Sequence, residues 1–437
     1  MDSLNDWRRT HYTIDVGPEA DETEVIIFGW IEDIRDLGGI TFLSLKDKSG
    51  SIQITVPKDL ANISTIKKVD SLQDQSVIAV KGKIRKMDRA PRGVEILPQE
   101  IRVLSNATHP LPFDPTGRVP ADLDVRLDAR VLDLRRPTSR AIFTIRHRVL
   151  HTIRDFFHSN GHIEVNTPKI IATATEGGAE LFPIAYFDRE AFLAQSPQLY
   201  KEQLSSVFEK VYEIAPIYRA EESHTTRHLS ECISIDMEEA FVNYDDVMTK
   251  LESLTCEVVS AIRKNCELEL KVLSHDLPLP SRPFKRYTYT DIVEKLKEFG
   301  VEIKWGEDIS TGAFRILGKM FKGFYYIINW PTESKPFYVK PCVDTPKVCE
   351  AFDLMHSWLE LASGGTRVSD KELLVKRLIN QGLTPSSFEY HLKAYEYGMP
   401  PHAGFGLGLE RLLMIMTGVK NIREVTIYPR DRFRLKP

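Results

Sequence analysis

Between residues 25 and 105 the apolar positions recur at every second residue, the period of a strand with one buried face. Five runs carry the pattern: VIIFGWIEDI, ITFLSLKD and SIQITVP, then, after a polar stretch compatible with a helix, SVIAVKGKIRKM and GVEILPQEIRVL. Ile52, Ile54 and Val56 show the alternation most plainly, and Gly38-Gly39 and Lys48-Ser49-Gly50 are expected to supply the positive φ angles of tight hairpins. Five strands interrupted by a helix predict a small OB-type barrel, with an SH3-like barrel equally open to composition alone. Residues 106–137 break both periodicities, first with Pro (HPLPFDPTG) and then with Arg and Asp (RVPADLDVRLDARVLDLRRP), so they read as a hinge. From Thr138, read as a cap, Ile142, Ile145, Val149, Ile153 and Phe156 recur at helical steps until Asn160-Gly161, with Arg146, Arg148 and Arg154 opposite. Beyond it β segments (IEVNTPKII, FLAQS, KVYEIAPIYRAEE, LSECISIDMEEAFV) alternate with helices, including 245–264. Two strands joined by a short polar loop predict antiparallel pairing and an α+β domain.

Composition narrows the class. With 42% apolar and 27% charged residues the 437-residue chain reads as an ordinary globular protein of two or three domains. A net charge of −4 argues against a generically basic nucleic-acid binder, so RNA would be met by a local surface. The five cysteines are scattered, as expected of reduced thiols in the cytoplasm. MDSLNDWRRTHYTIDV lacks the apolar core of a signal peptide, and no run approaches the length of a membrane span, so no membrane role is expected.

Three segments carry chemistry. In IYRAEESHTTRHLSECISIDMEEAF a strand ends in Arg219, Glu221 and Glu222, and a second strand carries Asp236 and Glu238; alone, this suits a solvated surface hairpin equally well. In GFGLGLERLLMIMTG, Gly404, Gly406 and Gly408 let something approach the backbone before a helix opens with Glu410-Arg411, where a guanidinium could stack on a flat ligand, pair with phosphate or simply reach solvent. The third, IEVNTPKII, has Pro168 ending a strand after the long helix. No Gly-rich phosphate loop is present, so any ATP is held otherwise.

Together and in this order the segments resemble motifs 1, 2 and 3 of the class II aminoacyl-tRNA synthetases. With the N-terminal barrel and hinge, the chain resembles subclass IIb, and within it the aspartyl-tRNA synthetases of archaeal and eukaryotic type. The resemblance implies an α+β protein: an OB-fold anticodon-binding domain over 1–105, a hinge over 106–137, and a class II catalytic domain over 138–437 built on a six-stranded antiparallel sheet flanked by helices, with an insertion at about 270–345 to which no chemistry is assigned. It also implies a homodimer. TATEGGAELF, QSPQLYKEQL and ELASGGTR point to aspartate. The resemblance puts Lys201 and Arg367 on its side-chain carboxylate, Glu176, Gln198 and Asp236 on its ammonium, with Ser363 lining the pocket and Glu176 on a loop that flips over the substrate.

For ATP it implies Arg219 on the α-phosphate, Arg411 on adenine and γ-phosphate, Glu221 and His228 around the nucleotide, Gly408 and Glu360 beside it, and Asp353 with Glu360 on Mg2+. Arg219 and Arg411 are the implied catalytic pair. Two departures stand out: Cys232 replaces an aromatic that stacks on adenine, leaving His228 and Arg411 for that task, and the family's Arg-x-His reads Arg367-Val368-Ser369. For tRNA(Asp) the resemblance implies Arg35, Phe42, Gln53 and Glu95 at the anticodon, although an aromatic on a barrel strand is more often core. Pro91 falls where relatives that also charge tRNA(Asn) tend to carry proline, and Glu32 is a second, uninformative specificity position. The rivals are an asparaginyl-tRNA synthetase, against which Lys201 speaks, and a non-catalytic synthetase-like RNA-binding paralogue, against which the intact Arg219, Glu221 and Arg411 speak.

Overall fold

The computed structural model describes residues 1–172, 180–222 and 225–437. The chain divides into two compact units, Met1–Ala121 and Asp122–Pro437.

In the first unit, β1 (Glu24–Asp36), β2 (Ile40–Lys46), β3 (Ser51–Pro57), β4 (Val77–Lys86) and β5 (Val94–Ser105) close a barrel in the order β1-β2-β3-β5-β4. Helix α1 (Ile63–Asp70) joins β3 to β4, capped by Asn62, whose side-chain oxygen accepts from the Thr65 amide at 2.7 Å. Alternation places Ile27, Ile31, Leu43, Leu45, Ile52, Ile54 and Val80 inside, each burial contributing roughly 1.5–3 kcal/mol. Gly39 takes no positive φ, but Gly38 has the expected one, of 80°. The turn at Gly50 does not: it is held instead by Asp47, whose carboxylate accepts from the Ser49 amide at 2.7 Å and the Gly50 amide at 3.2 Å, an Asx-type turn that leaves glycine's freedom unused.

The second unit is built on an eight-stranded sheet in the order Lys285–Thr288, Phe324–Ile328, Ala351–His356, Leu359–Thr366, His402–Gly408, Glu231–Ala240, Lys210–Tyr218, Ile163–Glu164. The six central strands are antiparallel, as the resemblance implied, and a parallel strand is added at each edge. One edge, Ile163–Glu164, lies within IEVNTPKII, read as β from the sequence; the other was not legible, because it lies in the stretch read as an insertion, which also supplies the central strand Phe324–Ile328. On one face, helices Pro137–Ser159 and Tyr244–Asn265 pack Ile145, Val149, Leu251 and Val258 against Ile235, Met237 and Phe405. On the other, helices Gln198–Phe208, Tyr289–Glu298, Thr311–Met320 and Lys371–Asn380 pack Leu199, Ile292, Leu317 and Leu374 against Ile327, Ala351 and Met355.

The long helix starts at Pro137 with Arg136 in the capping position and no side-chain cap, so Thr138 is not the cap. Proline at the first helical position lacks only an N–H that would be unpaired anyway. Asn160 and Gly161, with φ 76°, end it as expected. Arg146 does not face solvent with its neighbours; it donates to the Glu410 carboxylate at 3.0 Å. All five cysteines are unpaired. Among the described residues no helix is long and apolar enough to cross a membrane.

Candidate active site

Antiparallel register gathers the site. Glu213, Asp236, Gly406, Ser363 and Asp353 are consecutive partners across five strands, so a single transverse row carries three predicted site residues on one face. One residue pair along, Glu238 faces Gly404. The glycines are spaced for these acids: a Cβ on Gly404 would lie 2.2 Å from the Glu238 carboxylate, and one on Gly406 would lie 3.1 Å from Asp236. What approaches Gly406 is the Asp236 carboxylate, and what approaches Gly404 is the Glu238 carboxylate and, equally closely, the Met237 carbonyl.

Those carboxylates hold the two predicted specificity cations. Lys201, 2% exposed, donates to Asp236 Oδ1 at 2.9 Å and to the Phe405 carbonyl at 2.9 Å, with Glu238 Oε2 at 3.5 Å. Arg367, 3% exposed, donates through Nε and Nη2 to the two oxygens of Glu238 at 2.9 and 3.3 Å. The Ser234 hydroxyl also donates to Asp236. Burying four charges is tolerable only because each has an opposite partner at hydrogen-bond distance.

Above this floor lies a cavity of about 380 Å³ lined by Gln198, Arg219, Glu221, His228, Asp236, Glu360, Ser363, Arg367, Gly408 and Arg411. Ten predicted residues thus share one cavity; Lys201 sits beneath it, bound to Asp236. Glu176 lies outside the described residues. Burial, then the nearby Arg411, push His228 below its usual pKa, which keeps a neutral imidazole able to stack. Cys232 lines the same cavity, and burial pushes its thiol up to about 12, so it is a small neutral wall where an aromatic was expected. Glu410, 2% exposed, also lines this cavity, accepting from Arg146 and from the Ile233 amide at 2.9 Å, and so ties the long helix to the strand and to helix Leu409–Thr417.

A second cavity of about 330 Å³ adjoins through shared Arg227, His228, Lys335, Glu360 and Arg411, and adds Asp353. Glu360 reaches it through a β-bulge. Asp353 pairs with Ser363 and Leu354 with Ala362, but Met355 pairs with Glu360, so Leu361 is the extra residue. Consecutive Leu361 and Ala362 both enter one core, and Glu360 is turned to the face of Asp353 instead of the opposite one. Burial raises Asp353, opposed by Lys335, whose ammonium lies 2.8 Å from it. Two oxygen donors facing one cavity suit Mg2+, which keeps substrate phosphates and water in its remaining positions. Among the described residues no cluster of three or more His, Cys, Asp or Glu could hold a metal unaided.

On the barrel's outer face Phe42 lies between Arg35 and Thr55 in register and is half-buried, outside the core. Gln53 faces Glu95 and donates to it at 2.9 Å. Glu95 also accepts from Thr55 and Arg85 and is 1% exposed. The four candidate anticodon residues therefore share one face. Glu32, the bulged residue of β1, is engaged with Lys46 at 2.7 Å and Ser51 at 2.9 Å, and Pro91 opens the exposed turn before β5.

Sequence reasoning did not single out Lys335, Arg227 or Glu202 as site residues, nor assign a partner to Glu238 or Glu410. For Glu238 and Glu202 a signal existed: the first alternates with Asp236 on a strand, and the second stands one helical turn after Gln198.

A family model described as tRNA synthetases class II (D, K and N) matches residues 122–432, and one described as an OB-fold nucleic acid binding domain matches residues 25–104. The chain is 51% identical over 427 residues to the Aspartate–tRNA(Asp/Asn) ligase of Archaeoglobus fulgidus, covering 98% of this chain and 99% of that one. It is 53% identical over 428 residues to the ligase of the same name from Methanopyrus kandleri, covering 98% and 99%. Among solved structures it resembles asparaginyl-tRNA synthetase from Pyrococcus horikoshii complexed with asparaginyl-adenylate, with TM-score 0.94 at 30% identity over 98% of this chain and 100% of that one. It also resembles an aspartyl tRNA synthetase from Entamoeba histolytica, with TM-score 0.86 at 31% identity over 98% and 92%.

Proposed function

The chain belongs to the class II tRNA synthetases of the D, K and N group, and from that premise we propose that it is an aspartate–tRNA ligase, activating L-aspartate with ATP and transferring the aspartyl group to the 3′-end of tRNA(Asp). The observation that carries the choice of aspartate is a count of donors. Arg367 has five N–H groups and spends two on Glu238, while the three of Lys201 face Asp236, the Phe405 carbonyl and, at 3.5 Å, Glu238. Donors therefore remain on Arg367, which lines the cavity, and Lys201 adds its positive charge from beneath, so the pocket floor takes an incoming carboxylate. An asparagine amide would turn its NH2 toward donors and leave them unpaired, a mismatch of the kind that rejects a near-isostere strongly.

In this reading the substrate's α-carboxylate attacks the α-phosphorus in line and pyrophosphate departs. Arg219 meets the charge growing on the α-phosphate oxygens, Arg411 and His228 hold the adenine end, and Glu221 fixes the nucleotide loop. Such preorganised donors typically contribute about 3 kcal/mol each to the transition state. Asp353 and Glu360 would hold Mg2+, which supplies further positive charge at the phosphates. The aspartyl ester then forms when a terminal ribose hydroxyl of the tRNA attacks the activated carbonyl and AMP leaves. Phe42, Arg35, Gln53 and Glu95 would read the single-stranded anticodon loop. We further propose that the protein works as a cytoplasmic homodimer and, from Pro91, that it also charges tRNA(Asn).

Charging of labelled aspartate onto separate tRNA(Asp) and tRNA(Asn) tests the reading. Comparable specificity constants on both are expected. Charging of tRNA(Asp) alone would remove the dual specificity, and ATP–pyrophosphate exchange driven by asparagine instead of aspartate would remove the assignment itself.

A further inference from the structure

Beneath the amino-acid pocket lies a buried group that the reaction as described does not use. Glu202 is fully buried, one helical turn beyond Gln198 on helix Gln198–Phe208, and its Oε1 receives the Gln198 side-chain amide at 2.6 Å. Its Oε2 faces three groups: the Tyr395 hydroxyl at 3.2 Å, His391 Nε2 at 3.4 Å and His402 Nε2 at 3.6 Å. Both imidazoles are themselves fully buried. His402 Nδ1 lies 2.8 Å from the Pro400 carbonyl, which can only accept, so that nitrogen carries a proton. His391 Nδ1 accepts from the Gln203 amide at 3.2 Å, so its proton is on Nε2, toward Glu202. Burial alone would raise Glu202, but the two imidazoles hold it well below the usual carboxylate range.

An ionised carboxylate only accepts. The atom of Gln198 that meets Glu202 must therefore be its NH2 nitrogen, and the carbonyl oxygen is the end left to the cavity, which Gln198 lines. A side-chain amide is nearly symmetric in shape, and among the described residues Glu202 is the contact that fixes which end of Gln198 points in. We propose that Glu202 is a positioning residue for amino-acid binding, locking the Gln198 amide so that its oxygen, and not its NH2, meets the substrate ammonium. This rests on the reading of Gln198 as an ammonium acceptor. The two histidines keep Glu202 charged so that the lock has one sense only.

The test uses the full chain in ATP–pyrophosphate exchange, with two variants and two ligands. Glu202→Gln can donate as well as accept and so permits the flipped amide. Glu202→Asp keeps the charge beside His391 and His402 but withdraws the carboxylate by one methylene from Gln198. Both are expected to raise KM for aspartate roughly tenfold, the scale of a lost charge-assisted hydrogen bond, with kcat and KM for ATP little changed. Neither should alter inhibition by succinate, which is aspartate without its ammonium. Gln198→Met should reproduce the same selective loss, and combining it with Glu202→Gln should add nothing further. If Glu202→Asp behaves as wild type, or if aspartate and succinate weaken together in both variants, Glu202 is only a charge partner for the histidines and the proposal falls. If wild type uses aspartate and Gln198→Met does not affect it, the reading of Gln198 falls, and the proposal with it.

Discussion

Lys201→Met separates a substrate-reading lysine from a merely structural one in a single pair of measurements. The ammonium is 2% exposed and serves Asp236, Glu238 and the Phe405 carbonyl together. Methionine fills nearly the same volume, so the loss is electrostatic: Asp236 keeps only the Ser234 hydroxyl among these partners, and Glu238 keeps Arg367. Removing one member of a buried charge cluster costs about 3–5 kcal/mol because the opposite charge stays buried. For a unit of roughly 300 residues, with an unfolding entropy of about 2 cal/mol/K per residue, this lowers Tm by roughly 5–8 °C. Differential scanning calorimetry measures it, and aspartate-dependent exchange should fall at least a hundredfold on the same sample. Asp236→Asn added to Lys201→Met should restore about 2 kcal/mol of the stability, because the unpaired carboxylate is gone, and none of the activity. A single variant melting within about 1 °C of wild type, or a double variant melting lower still, would show that the cluster is not the mutually dependent unit its distances describe.

The other outcomes follow from individual contacts. Glu410→Ala strands the Ile233 amide and leaves the Arg146 guanidinium only the Val425 carbonyl at 3.3 Å, and should cost about 2–4 kcal/mol in urea unfolding, whereas Glu410→Gln, which keeps an acceptor, should cost less than half of that. Glu360→Gln should raise the Mg2+ concentration for half-maximal exchange at least tenfold, read by metal titration. Glu239 is held at about 2 by His162, Lys250 and Lys210 against the upward push of burial. Its contribution, on the order of 3 kcal/mol, is therefore complete above about pH 4.5 and is lost as pH falls toward 2. The stability gap between wild type and Glu239→Gln should close over that window and stay constant above it. Phe42→Ala should raise KM for tRNA about tenfold, the scale of one lost base stack, and Pro91→Lys should reduce charging of tRNA(Asn) more than that of tRNA(Asp) in paired kinetics.

The barrel was legible because its alternation is local: each strand's inward residues, such as Ile52, Ile54 and Val56, identify themselves without knowledge of their neighbours. The site was legible for the opposite reason. Its residues are short polar signatures that make sense only together, and the register of the sheet brings Asp236, Ser363 and Asp353 into one row that no local pattern announces. What escaped was geometry created by pairing. A hairpin read from Lys48-Ser49-Gly50 turned on Asp47, because a carboxylate collecting backbone amides can do the work of a positive φ. Lys335 escaped because Pro- and aromatic-rich surroundings carry no periodicity, although the strand before it is central to the sheet.

The bulge at Leu361 shows how packing and site geometry are reconciled within one short stretch of strand. In a regular ladder Met355 would face Leu361, and Glu360 would face His356 on the other side of the sheet, among the residues that pack on Leu354 and Phe352. The extra residue turns Glu360 to the cavity while sending two consecutive apolar side chains, Leu361 and Ala362, into the core, so burial of those side chains holds the bulge in place. Deleting Leu361 would leave Ala362 opposite Leu354 and Glu360 opposite Met355 in a regular ladder, so the Glu360 carboxylate stays on the cavity face and what is lost is the burial of one leucine, roughly 1.5–3 kcal/mol. Tm should fall while Mg2+-dependent exchange is kept. Adding Glu360→Gln to the deletion should then raise the Mg2+ requirement as it does without the deletion. An unchanged Tm would show that burial of Leu361 does not hold the bulge, and an unchanged Mg2+ requirement in the double variant would show that Glu360 has no role at the metal.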